Sequence, residues 1–150
     1  MSPIFLDTDI LLDVFAEREP FYGYAARVLT FIETRQITGC TSALIFSNLY
    51  YILRKLRSRE VAITHLRKLA SLVTVLAVDD RSINFALNAA FSDFEDAIQY
   101  HTATHHHIKY LITRNTKDYK TADNQLITIV TAEEYVKLWE ASLTIGDNGH

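Results

Sequence analysis

Ile4-Phe5-Leu6-Asp7-Thr8-Asp9-Ile10-Leu11-Leu12-Asp13 contains a change of period that decides the fold. An unbroken apolar run ends on an aspartate, and a second, differently spaced apolar run begins two residues later. This reads as a short buried strand passing directly into a helix, with Asp7 at the joint. The same grammar recurs down the chain. Ile37–Thr41, Leu72–Val78, Tyr110–Thr113 and Ile127–Val130 are rich in β-branched or apolar residues and read as further strands. Between them the apolar spacing is helical: positions 45, 49, 52, 53 and 56, then Ile83, Ala86, Leu87, Ala90 and Phe91, then Val136, Trp139 and Leu143. Strands alternating with helices predict an α/β fold, with helical layers on both faces of a central, mostly parallel five-stranded sheet.

Composition agrees with that reading. The chain has 150 residues and 17.2 kDa, the size of one domain, expected over residues 1–145, with 146–150 as a flexible tail. Apolar residues make up 49% and charged residues 22%, which is globular composition. A net charge of −3 argues against broad, sequence-blind wrapping of nucleic acid and leaves room only for a local basic groove. Four Gly and two Pro leave few sharp turns, favouring helices over a many-stranded sandwich. Cys40, the single cysteine, rules out a disulfide framework and a Cys-rich zinc site. The first residues lack a basic leader, and no run approaches the roughly 20 apolar residues of a membrane span. A cytoplasmic protein with no membrane attachment is expected.

In an open parallel sheet, ligands gather beyond the carboxyl ends of the strands. Three acidic positions meet that criterion: Asp7 after the first strand, Asp96 at the start of a helical run, and Asp118 shortly after Thr113. Converging carboxylates repel one another and raise one another's pKa unless a cation joins them. Hard oxygen donors without Cys or paired His suit Mg²⁺ or Mn²⁺. Each position also has a plain structural reading. Asp7 and Asp93 can be helix caps, Asp96 a first-turn carboxylate meeting the helix dipole, and Asp118 a turn former.

The opening stretch resembles the start of PIN domains, the nuclease fold of VapC-type toxins. Asp93-Phe94-Glu95-Asp96-Ala97-Ile98-Gln99-Tyr100 is similar to that family's third acidic motif, and Ile112-Thr113-Arg114-Asn115-Thr116-Lys117-Asp118-Tyr119 to its fourth. The motifs occur in family order over roughly residues 3 to 135. The resemblance implies a metal-dependent endoribonuclease, the toxin of a type II toxin–antitoxin pair. It implies Asp7, Asp96 and Asp118 as acidic ligands of Mg²⁺ or Mn²⁺, and Thr113 as a residue ordering the site. It further implies an RNA substrate, a cognate antitoxin and a homodimer. At the position of the family's second acidic residue this chain has Asn48, on a helical face shared with Ile45 and Ile52. Asn48 reads either as a core amide bonded to backbone or as part of the site. Asp9, Asp93 or Glu95 are the residues that could restore the missing charge, and one tightly held metal is expected.

Arg114 and Lys117 are candidates for phosphate contact. Arg54, Lys55, Arg57, Arg59, Arg67 and Lys68 form a basic stretch that reads first as a solvated helix face and second as a track for an RNA backbone. His105-His106-His107 point in different directions on a helix and cannot share one ion. Phe21, Tyr22 and Tyr24 read as core packing or as a partner anchor. Two other functions fit parts of the sequence. One is a catalytically silent PIN-fold module binding RNA or protein, motivated by Asn48. The other is a haloacid-dehalogenase-like phosphatase, motivated by Asp7-Thr8-Asp9 after a strand.

Overall fold

The computed structural model describes residues 2–119 and 126–148. Its elements follow in the order β1 (Ile4–Leu6), α1 (Thr8–Phe15), α2 (Tyr22–Glu33), β2 (Gly39–Ser42), α3 (Ala43–Leu56), α4 (Arg59–Leu72), β3 (Thr74–Leu76), α5 (Asp80–Asn88), α6 (Phe94–His105), β4 (Tyr110–Ile112), a 3-10 turn (Thr116–Tyr119), β5 (Thr128–Val130) and α7 (Ala132–Asn148). The strands form one sheet in the order β3-β2-β1-β4-β5, and every pairing is parallel. This is the expected α/β architecture, a five-stranded parallel sheet flanked by helices.

Most helices begin on a side-chain oxygen that accepts a backbone N–H, the chemistry that stops a strand and starts a helix. Asp7 accepts from Thr8 N at 2.8 Å, Ser42 from Ile45 N at 3.2 Å, Ser58 from Val61 N at 3.2 Å and Asp93 from Asp96 N at 2.9 Å. At the start of α7, Thr131 and Glu134 exchange two such bonds as a capping box. The capping readings of Asp7 and Asp93 are therefore correct as local structure, and they leave the remaining oxygens of both residues to be accounted for.

β1 lies in the middle of the sheet, and Ile4, Phe5 and Leu6 are completely buried, as are Leu111 and Ile112 of the neighbouring β4. Strands buried on both faces carry unbroken apolar runs, which is why β1 could be recognised from so few residues. Gly39 opens β2 because helix α2 passes against it; a Cβ there would collide with the Ile32 side chain.

Several boundaries differ from expectation. Leu72 ends α4 and Val73 caps it, so the β-branched run 72–78 contributes only Thr74–Leu76 to the sheet. β2 begins at Gly39, leaving Ile37 as a buried apolar residue before it. Helix α5 stops at Asn88, short of Ala90 and Phe91. Residues 146–148 of the expected flexible tail continue helix α7, whereas Gly149 and His150 lie outside the described residues. No helix among the described residues is long and apolar enough to cross a membrane.

Candidate active site

The strand order turns back on itself at β1: β2 and β3 extend from one side of it, β4 and β5 from the other. The ends of β1 and β4 therefore diverge into different connections, and a crevice opens beyond them. Leu6 pairs with Ile112, so Asp7 and Thr113 emerge side by side into that crevice. A cavity of about 370 Å³ lies there, lined by Asp7, Thr8, Asp9, Asn48, Tyr51, Ile52, Asp93, Glu95, Asp96, Gln99, Asn115 and Asp118. Six of these are carboxylates and, among the described residues, none is basic.

Asp7, 7% exposed, is fixed by three donors. Besides the cap bond to Thr8, its Oδ2 accepts from Thr113 Oγ1 at 3.0 Å and from Tyr119 Oη at 2.9 Å. Burial and the nearby charge of Asp9 nevertheless push its carboxyl up to about 6. Asp96, in the first turn of α6, lies 3.4 Å from the same Tyr119 hydroxyl. Burial, then the charges of Asp7, Asp93 and Asp118, push it up to about 7. One hydroxyl thus stands between two carboxylates, and its single proton cannot serve both fully. Burial and the facing acids also drive the Tyr119 phenol far upward, so it remains a donor.

Asp9 Oδ2 gathers Arg114 N at 3.0 Å, Asn115 Nδ2 at 3.2 Å and Thr113 Oγ1 at 3.3 Å. Its other oxygen, Oδ1, is buried with no hydrogen-bond partner. Burial raises this carboxyl as well. Asp118 is exposed on the 3-10 turn and reaches the cavity wall, as do Asp93 and Glu95. Asn48 does not bond backbone in a core; its Nδ2 donates to Glu95 Oε2 at 3.1 Å, and it lines the cavity. The amide therefore takes up one carboxylate of the wall where a second acid would have added to the repulsion.

The two phosphate-contact candidates stand elsewhere. Arg114 turns away from the crevice: its Nη2 lies 3.2 Å from Asp13 Oδ1 and its guanidinium sits 4.1 Å above the Phe21 ring. Lys117 is exposed beside Asp118 and is not part of the cavity wall. The histidine triplet begins at the far end of α6, where His106 Nδ1 contacts the Thr102 carbonyl at 2.9 Å. Cys40 is buried, and burial raises its thiol pKa, which keeps it unreactive. Sequence reasoning gave no role to Tyr119. Its position directly after Asp118 was the available signal, because a residue that ends a turn beside an acidic site can direct a hydroxyl into it.

The donor set is made of hard oxygens in excess of any cation supplied by the described residues, and it includes a buried carboxylate oxygen with no partner. That chemistry fits a divalent ion such as Mg²⁺ or Mn²⁺. Among the described residues, no group of three or more acidic, histidine or cysteine side chains forms a ready-made metal cluster. The carboxylates line one cavity without being drawn together.

Comparison with known proteins gives a PIN domain match over residues 3–117. The chain belongs to the PIN domain family. No curated protein matches it. Similar solved structures include a toxin–antitoxin complex from Klebsiella pneumoniae, with TM-score 0.63 and 23% identity, covering 86% of this chain and 97% of that one. The DNA-bound VapBC of Salmonella typhimurium has TM-score 0.64 at 16% identity, covering 88% and 99%. VapC20 of Mycobacterium tuberculosis, described as a sarcin–ricin-loop-cleaving toxin, has TM-score 0.59 at 16% identity, covering 72% and 86%. At these identities the likeness is one of fold. Membership of the PIN family sets Asp7-Thr8-Asp9 in a PIN frame rather than a dehalogenase one.

Proposed function

We propose that this PIN domain is a metal-dependent endoribonuclease acting as the toxin of a toxin–antitoxin pair, in the cytoplasm, with a cognate antitoxin as partner and a homodimer as its working form. The observation that carries the reading is the cavity at the strand switch, where six carboxylates meet no basic side chain among the described residues. The PIN family match and the VapC fold of its neighbours support it.

In this reading Asp7, Asp96 and Asp118 hold Mg²⁺ or Mn²⁺, with Asp9, Asp93 and Glu95 completing the negative charge. When bound, the ion supplies a polarised phosphate oxygen and a water acidic enough to attack phosphorus. The chain's own residues prepare that place. Tyr119 and Thr113 aim Asp7 by hydrogen bonds from opposite groups, so the carboxylate does not have to reorganise when charge arrives. Asp9 ties the 113–115 segment to α1 through three bonds, fixing the loop that leads to Asp118. Asn48 holds Glu95 toward the same wall.

The test is cleavage of RNA by the purified chain in Mg²⁺ or Mn²⁺, together with calorimetric titration of Mn²⁺. Cutting that stops in excess chelator and in Asp96→Asn supports the proposal. Equal cutting in chelator or in the variant would sink it. Absence of Mn²⁺ uptake even with RNA present would instead favour a silent binding module.

A further inference from the structure

Among the described residues Tyr51 is the aromatic side chain of a cavity wall that is otherwise polar apart from Ile52. It is 61% exposed yet lines the acidic cavity beside Asn48. Its ring makes a T-shaped contact with Tyr50, centroids 5.7 Å apart and planes at 72°, and Tyr50 packs on the main core. That contact supports one edge of the ring and leaves the rest of it open to solvent. Its neighbours one turn away on α3 are Ser47, Asn48, Arg54 and Lys55, all polar. Asn48, Tyr51 and Lys55, at i, i+3 and i+7, share one face of the helix. That face passes from the acidic cavity through an aromatic ring to cations, over roughly 10 Å at the helical rise.

We infer that Tyr51 is a base-stacking subsite for single-stranded RNA, with Lys55 meeting a phosphate beyond it. The inference rests on the nuclease reading above and adds to it the place where a nucleotide next to the cut is held. The acidic wall repels phosphates, but a nucleobase is neutral and can enter beside carboxylates. A tyrosine face supplies the stacking surface a base needs, whatever its identity. The strand's charge is met only farther along, at the first cations on that face. A protein partner docking through this face would want a broader apolar surface than the Tyr50 ring and Ile52 beside Tyr51, whose neighbours one turn away on either side are polar.

Fluorescence anisotropy of a labelled oligoadenylate, with the full chain in excess chelator so that the strand is not cut, tests this against an oligomer of equal length carrying abasic sugars. Tyr51→Ala should weaken oligoadenylate binding roughly ten-fold, within the range of base–aromatic stacking, while Tyr51→Phe stays within about two-fold. The abasic strand should bind the wild-type chain more weakly and be indifferent to Tyr51→Ala. Lys55→Gln should weaken both strands alike and lower the salt slope by about one. If the chain cuts RNA but Tyr51→Ala binds both strands as the wild type does, the subsite is overturned and the nuclease reading stands. If the wild type neither binds nor cuts RNA, both fall. Loss of self-association in Tyr51→Ala with RNA binding unchanged would make the face a protein contact and overturn the inference.

Discussion

Helix α1 carries two aspartates four residues apart, half-buried Asp9 and buried Asp13, that meet different fates. Asp13, 1% exposed, has a resident cation: the Arg114 guanidinium, itself stacked on Phe21, lies 3.2 Å away. Asp9 has no ion pair among the described residues: it takes the backbone N–H of that same Arg114, whose charge also lowers its carboxyl pKa. One of its oxygens accepts no hydrogen bond, nor does either Asp13 oxygen. The guanidinium charge acts on both acids, but the ion pair is formed with Asp13, on the side away from the crevice. On that side the ion pair lines a mostly apolar cavity of about 440 Å³ with Pro20, Phe21 and Tyr24. On the other side six carboxylates line a cavity that has no basic side chain among its described lining residues. Burying a charge without compensation is costly, and on the acidic side that cost appears as the raised carboxyls of Asp7, Asp9 and Asp96.

The sharpest way to break this contrast is at the uncompensated end. Asp96→Asn should reduce Mn²⁺-supported RNA cleavage by about 100-fold or more, since it removes a proposed ligand and the charge the ion answers. Initial rates on a defined RNA measure it; a loss under three-fold would mean that Asp96 is structural. At the compensated end the effect should fall on stability. Arg114→Ala leaves Asp13 buried and unpaired, and should cost about 2–3 kcal/mol in urea unfolding, with Asp13→Asn/Arg114→Ala recovering part of it. If Arg114→Ala unfolds at the wild-type midpoint, the pair is not holding α1.

Between these, Tyr119→Phe removes the hydroxyl shared by Asp7 and Asp96 and should lower stability by about 1–2 kcal/mol. It should also raise the Asp7 pKa further, which carboxyl ¹³C NMR titration can follow. The smallest effect separates the two ends by pH. In the metal-free protein Asp7 and Asp96 titrate near 6 and 7, above the ordinary 3.8 they recover on unfolding. The folded state therefore holds protons that the unfolded state releases, and stability should decline as pH rises from about 4 to about 7. Melting temperatures in chelator should show that decline. Asp96→Asn should flatten it and melt about 1–3 °C above wild type at pH 8. Mn²⁺ at pH 8 should oppose the decline, whereas a flat wild-type profile would mean the acids are less crowded than the cavity suggests.

Much of this organisation was legible in the residues. Parallel strands buried on both faces must be apolar throughout, so Ile4-Phe5-Leu6 could be recognised despite its brevity, and the cap residues behind the strands marked where they end. Burial is a property of the assembled layers, and it decided what local pattern left open. Leu72 and Val73 look like strand residues but finish a helix, because propensity yields to the packing of α4. At the candidate site the residue types were readable and the directions were not. Arg114 and Lys117 neighbour the acids in sequence, yet the turn after β4 sends the arginine to Asp13. The role of Tyr119 depended on a hydroxyl reaching between residues more than twenty positions apart.

The central place of β1 has a consequence for how this site can fail. Its three residues are fully enclosed, with hydrogen-bonded neighbours on either hand, so their amides should exchange with solvent only when the entire molecule opens. Asp7, which follows β1 directly and whose backbone N–H bonds the Ile112 carbonyl of β4, is anchored to that strand pair. Asp7 should keep its place up to the denaturation midpoint and lose it in the same cooperative step, so any partner that grips it in the folded crevice also protects the chain from proteases that need it undone.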